Sequence, residues 1–128
     1  MKENRIKVLK VAPHQPPEPV WLDNDLESLQ KAVSIGASYT GLIEIVSLDE
    51  DVALLLNEEG KLIDLEPNRR LGHDILCGVF YVVGQDEEGE LTSLSETAFE
   101  HYAELFKEPE TITEEEVNKS IIMRFFSC

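Results

Sequence analysis

Five polar residues in one stretch are the candidates for chemistry: Asn57, Glu58, Asn68, Arg69 and Asp74. They lie in segment 57–84, NEEGKLIDLEPNRRLGHDILCGVFYVVG. A carboxamide, a guanidinium and carboxylates on neighbouring loops can recognise a polar ligand or a peptide through directed hydrogen bonds. In that reading the loop carrying Asn68 and Arg69 stands beside the Asn57 turn and presents a polar recognition surface. The same residue types also hold chains in place. Asn57 can bond its own turn amides, and Asp74 can cap a turn or fix Arg69. Both readings stay open at the level of sequence.

Catalytic and metal chemistry find less support. His14, His73 and His101 are far apart, and none has metal-ligand spacing to another. His73 and Asp74 are adjacent, so their side chains do not face each other as an acid/base pair would. A nucleophilic Cys77 would need a base and an electropositive setting, whereas it sits in an apolar run that suits a packed thiol. The GHDILCG segment has neither the spacing nor the lysine of a phosphate-binding loop. The expectation is therefore no catalytic residue, no metal site and no cofactor.

The elements that must position these residues are short. Arg5–Val11 alternates apolar and basic residues as a strand does, with its lysines facing out and guarding an edge. Pro13, Pro16, Pro17 and Pro19 read as a stiff connection to a short strand at 19–22, with Trp21 in or beside the core. Asp23, Asn24 and Asp25 offer N-caps for a helix whose apolar stripe is Leu26, Leu29 and Val33, with Gly36 as its stop. Strands follow at 42–46 and 52–56, a turn at Asn57–Gly60, and a return strand at 61–63. Asn68–Leu71 reads as one helical turn, and Ile75–Val83 as a central buried strand. Ser93 and Glu96 have capping-box spacing before a helix to about Lys107, with Phe99, Tyr102, Ala103 and Phe106 on its apolar face. Thr113 and Glu116 repeat the spacing ahead of a short helix near 114–119.

The implied fold class is α+β: a single domain with a mostly antiparallel or mixed sheet of about five strands packed with two main helices. Residues 1–108 form the compact unit. Residues 109–128 are a C-terminal extension docked on it or on a partner. Ile121, Ile122, Phe125 and Phe126 make the end of that extension apolar, so it reads as a last strand, a docking helix or a homodimer contact. At 128 residues the chain buries roughly 65–70% of its unfolded surface and needs neither disulfide nor metal to fold.

Charge narrows the partners. The formal net charge is −15, and it is uneven. Residues 1–47 hold five Lys/Arg against six Asp/Glu, whereas residues 48–128 hold six against twenty. Such a surface repels phosphate backbones, which excludes direct nucleic-acid binding. It fits a basic protein, including one that normally grips DNA, and it also serves plain solubility. There is no secretory leader in MKENRIKVLKV and no apolar run long enough to span a membrane, so the expected location is cytoplasmic with reduced thiols.

Asn57-Glu58-Glu59-Gly60-Lys61-Leu62, Leu65, Pro67-Asn68-Arg69, Asp74-Ile75, Gly78 and Gly84 together resemble the family named domain of unknown function 3846. The resemblance covers roughly residues 5–107, including the strand at 6–11, Asp23–Leu26 and Ile43-Glu44. The loop 35–44 is looser than the compact Gly-Gly-Tyr-Ile-Glu-like junction usual in that family. The resemblance implies a protein of phages, plasmids or integrated mobile elements of bacteria, and it implies no chemistry. Joined to the charge, it leads to one expectation: a non-enzymatic acidic accessory or protein-interaction domain, in its sharper form a DNA mimic towards a host DNA-binding protein. The alternative is a small-molecule or peptide-binding domain using the Asn68/Arg69 loop.

Overall fold

The computed structural model describes residues 4–60, 65–72 and 74–126, with side chains as far as residue 120. The fold is α+β and every strand pair in it is antiparallel. In chain order the elements are β1 (Arg5–Val11), β2 (Glu18–Asp23), α1 (Leu26–Ala32), β3 (Ile43–Asp49), β4 (Val52–Asn57), β5 (Pro67–Leu71), β6 (Asp74–Cys77), β7 (Phe80–Gln85), β8 (Leu91–Thr92), α2 (Glu96–Leu105) and α3 (Glu114–Phe126). The main sheet runs β2-β1-β7-β4-β3, and β8 adds to β7 beyond the end of β1. β5 and β6 form a separate hairpin.

β4 and β7 are central, and their sequences show why. A strand covered on both faces is apolar throughout rather than alternating. Val52, Leu54 and Leu56 of β4 join Leu9, Val11, Phe80, Val82, Tyr102 and Phe106 on the α2 side. Ala53 and Leu55 join Ile6, Val8, Leu29, Val33, Tyr81 and Val83 on the α1 side. One helix thus covers each face. A third cluster, Leu65, Ile75, Cys77 and Val117, seats α3 on the β5–β6 hairpin.

The capping reading holds at two helices and shifts at one. Asp25 caps α1 by accepting from Ser28 N at 2.8 Å, and Thr113 Oγ1 accepts from Glu116 N at 3.2 Å ahead of α3. At α2 the cap is Ser95, not Ser93. Ser93 is used elsewhere, accepting from Lys7 N at 2.9 Å where β1 passes β8.

Several expectations are corrected. Asn68–Leu71 is a strand, not a helical turn, because it pairs with β6. The 75–83 run is two strands, divided at Gly78, whose φ of 78° turns the chain. β1 is not an edge: it is paired on both sides, and β2 lies outside it. Trp21 is 55% exposed, with Arg5 stacked over its ring at 5.4 Å, and Leu26 also faces solvent. The short helix expected near 114–119 is present as α3 and runs on to Phe126. The expected return strand at 61–63, the His73 loop, Cys128 and the side chains of Ile121, Ile122, Phe125 and Phe126 lie outside what is described.

Candidate functional site

The candidate residues are built from the hairpin outward. Between Pro67 and Arg69 the β5–β6 register slips: Pro67 faces Cys77 and Arg69 faces Leu76. Asn68 is the extra residue of a β-bulge. A bulge re-aims side chains, and here it turns both Asn68 and its neighbour Arg69 inward, where an unbroken strand would send them to opposite faces. They are 0% and 1% exposed.

Each inward side chain bonds main chain, and the two bond each other. Asn68 Nδ2 donates to Val11 O and to Gly78 O, both at 2.9 Å. It thereby ties the end of β1 to the β6–β7 turn. Arg69 Nε donates to Phe106 O at 3.1 Å and Nη2 to Gln15 O at 2.7 Å. Nη1 donates to Asn68 Oδ1 at 2.7 Å and to Asn68 O at 3.3 Å. Phe106 is the C-cap of α2, whose last turn has no basic residue. The guanidinium supplies, through the tertiary fold, the cation that a helix C-terminus favours. Burial pushes Arg69 below its ordinary pKa range, and the charge of Glu110 pulls it back up.

Asn57 is a second clip of the same kind. Its Nδ2 donates to Val33 O at 3.3 Å, at the C-cap of α1, and its Oδ1 accepts from Glu59 N at 2.9 Å. Tyr81 Oη donates to the next α1 carbonyl, Ala32 O, at 3.0 Å. The α1–β3 connection passes so close that a Cβ at Gly41 would lie 2.8 Å from Asn57 Nδ2. The Asn57 turn and the start of β5 are neighbours along the backbone, since Leu65 N donates to Gly60 O at 3.0 Å. Their side chains diverge, Asn57 towards α1 and Arg69 towards α2. Glu58 stays on the surface of its turn. Asp74 Oδ1 accepts from Ile75 N at 2.8 Å. It is not among the hydrogen-bond acceptors of Arg69, which are carbonyls and the Asn68 amide oxygen.

The polar recognition surface expected of the Asn68/Arg69 loop is therefore corrected. The bulge closes it into the interior, and its donors are spent on carbonyls. Arg70, which the sequence reading passed over, points the other way. It bonds Glu110 Oε1 at 2.7 Å and Glu116 at 2.8–3.1 Å, holding the start of α3 against the hairpin. Asn57, Arg69 and Arg70 thus anchor α1, α2 and α3 in turn. A hint of Arg70 lay in its being one of six cations among the last 81 residues, but nothing in sequence identified its two carboxylates.

The remaining chemical groups are dispersed. His14 Nε2 meets Glu66 Oε1 at 2.5 Å on the open surface, beside a cleft of about 380 Å³ lined by Lys10, Pro13, Ile35, Glu66 and Gly78. No set of three His, Cys, Asp or Glu side chains among the described residues has metal-site geometry. Carboxylates, by contrast, converge. The β3–β4 turn carries Asp49, Glu50 and Asp51, and the β7–β8 turn carries Asp86, Glu87, Glu88 and Glu90. Gln85 N donates to Asp51 O at 2.9 Å, and Val52 pairs with Gly84, so both turns sit at one end of the sheet. Burial, then the charges of Asp49 and Asp51, raises the Tyr102 phenol above its ordinary pKa.

Fold and site define an antiparallel α+β domain, helix-covered on both faces and pinned by an internal arginine. One end of its sheet is acidic. The chain belongs to the family described as domain of unknown function (DUF3846), whose model matches residues 6–107. No curated protein matches it, and no solved structure does. Among the described residues, no helix is long and apolar enough to cross a membrane.

Proposed function

We propose that this is a non-enzymatic protein-interaction domain, an accessory protein of a bacterial mobile element acting in the cytoplasm. Its acidic end engages a basic partner, in the sharpest form the DNA-binding groove of a host protein. The observation that carries the reading is the convergence of seven carboxylates from two turns at one end of the sheet. Like charges held together on a folded surface raise the local potential and steer a cationic partner. The family resemblance supplies the mobile-element context. The candidate residues Asn57, Asn68 and Arg69 add to the reading by being engaged in the fold, which leaves the surface carboxylates as the recognition chemistry.

The test is capture from nuclease-treated bacterial lysate at low and high salt. The parent protein is compared with a variant carrying Asp49→Asn, Glu50→Gln, Asp51→Asn, Glu87→Gln and Glu88→Gln. A partner retained at low salt, released at high salt and lost to the variant supports the reading. Equal capture by both proteins, or none by either, overturns it.

A further inference from the structure

The main sheet has two edges, and they are built differently. β2 is guarded. Pro19 within it has no N–H to offer, and Arg5–Asp23 and Lys10–Glu18 ion pairs at 3.6 and 4.0 Å flank it. β3, at the opposite edge, has seven residues, IEIVSLD, with no proline and no lysine or arginine. Its Ile45 and Val46 side chains are 41% and 38% exposed, and Leu42 just before it is also exposed.

The ladder shows which main-chain groups face outward. Glu58 N donates to Leu42 O at 3.0 Å, and the register pairs Ile43 with Asn57, Glu44 with Leu56, Ile45 with Leu55 and Val46 with Leu54. Opposed residues in an antiparallel pair alternate between bonded and non-bonded. Residues 42, 44 and 46 therefore bond β4, and the N–H and C=O groups of Ile43, Ile45 and Ser47 point away from the sheet. Among the described residues no strand pairs with that side.

We propose that β3 is a strand-addition site whose occupant is an extended, basic segment of a partner protein, with lysine or arginine alternating with apolar residues. Main-chain bonds to Ile43, Ile45 and Ser47 would hold it, and Ile45, on the α1 face, would take its apolar side chains, leaving its cations on the opposite face with Glu44. Charge selects the occupant. Residues 32–60 contain six carboxylates and no lysine or arginine. A second copy would bring the same six carboxylates and a further −15 of net charge to the contact. A basic strand meets the opposite sign.

The proposal rests on the protein-interaction reading and names where and how the partner binds. The probe is an acetylated, amidated Lys-Val octapeptide of alternating sequence. Its control is the same peptide with two valines replaced by proline, equal in charge but unable to complete a ladder. The octapeptide should slow amide exchange at Ile43, Ile45 and Ser47 at least about tenfold and bind at least about tenfold more tightly than the control, one factor of ten being about 1.4 kcal/mol. Ile45→Pro removes an outward N–H and spares the bonds to β4, so it should weaken octapeptide binding by a similar factor. Ile45→Lys, at an exposed position, is the second variant and should do the same by repulsion. Unprotected edge amides, equal binding of the two peptides, or concentration-dependent protection without peptide would each overturn the proposal, the last in favour of self-pairing. If the carboxylate variant loses lysate capture while the edge amides stay unprotected, strand addition fails and the acidic-surface reading survives. If the peptide protects the edge while the carboxylate variant captures normally, strand addition survives alone.

Discussion

Replacing Arg69 with methionine tests the central claim about the fold, that this buried guanidinium is a tertiary helix cap. Methionine fills most of the same volume, so the change isolates the hydrogen bonds. Four are lost: to Phe106 O, Gln15 O, Asn68 Oδ1 and Asn68 O. Water can reach Gln15, which is exposed, but Phe106 and Asn68 are buried. A buried acceptor left without a donor costs about 1–3 kcal/mol, so Phe106 O, Asn68 Oδ1 and Asn68 O together cost about 3–9 kcal/mol. Removing the cation returns part of its desolvation, which is several kcal/mol for a buried ion. The return is incomplete because the acceptors were oriented to meet that charge. The expected net loss is about 3 kcal/mol, or about 10 °C in melting temperature for a domain of this size. Urea unfolding measures it. Amide exchange should quicken first at residues 12–17 and 102–107, the segments the side chain ties together. A double-mutant cycle with Asn68→Ala should give a coupling of about 1–3 kcal/mol through the 2.7 Å contact. A variant melting within about 2 °C of the parent, or a cycle with no coupling, would refute the cap.

Three further outcomes follow from the same structure. The Tyr81 phenol is pushed up to about 12, chiefly by burial and then by the charge of Glu18. Its contribution to stability is full below the unfolded value near 10 and lost as pH rises towards 12, on the order of 2 kcal/mol in all; Tyr81→Phe should flatten that alkaline limb in pH-dependent unfolding. The Glu116 carboxyl is held below its usual range, first by hydrogen bonds from Arg70, so the attachment of α3 is present above the unfolded pKa and lost as pH falls through the depressed one. An NMR titration of Glu116 should show that depression shrink in Arg70→Ala, and an unchanged titration would refute the attachment. Gly84→Ala would set a Cβ 2.4 Å from Ser93 O, a main-chain atom that moves only with β8, whereas Gly72→Ala meets open space at a φ of 59°. Thermal melts should show a loss of about 3 kcal/mol or more at Gly84 and about 1 kcal/mol at Gly72.

Local signals specified a large part of this fold. Val52–Leu56 and the 75–83 run are apolar without alternation because each is covered on two faces, and that much is visible in composition. The caps at Asp25 and Thr113 are legible because capping is a contact over three residues. Ser95 in place of Ser93 shows the limit. Two serines offered the same local bond, and the passage of β1 beside β8 took one of them.

What the sequence determined by itself is the class of the domain, its family, and the uneven acidity that bears on its partners. Only the tertiary structure decided the fate of Asn68 and Arg69. Their types fit a recognition loop and an internal clip equally well, because the acceptors that decide between the two, Val11, Gln15, Gly78 and Phe106, lie 10 to 57 residues away along the chain. One bulged residue turned both side chains inward. The exposed β3 edge has the same origin, since whether a strand is central or marginal depends on which strands pair beside it.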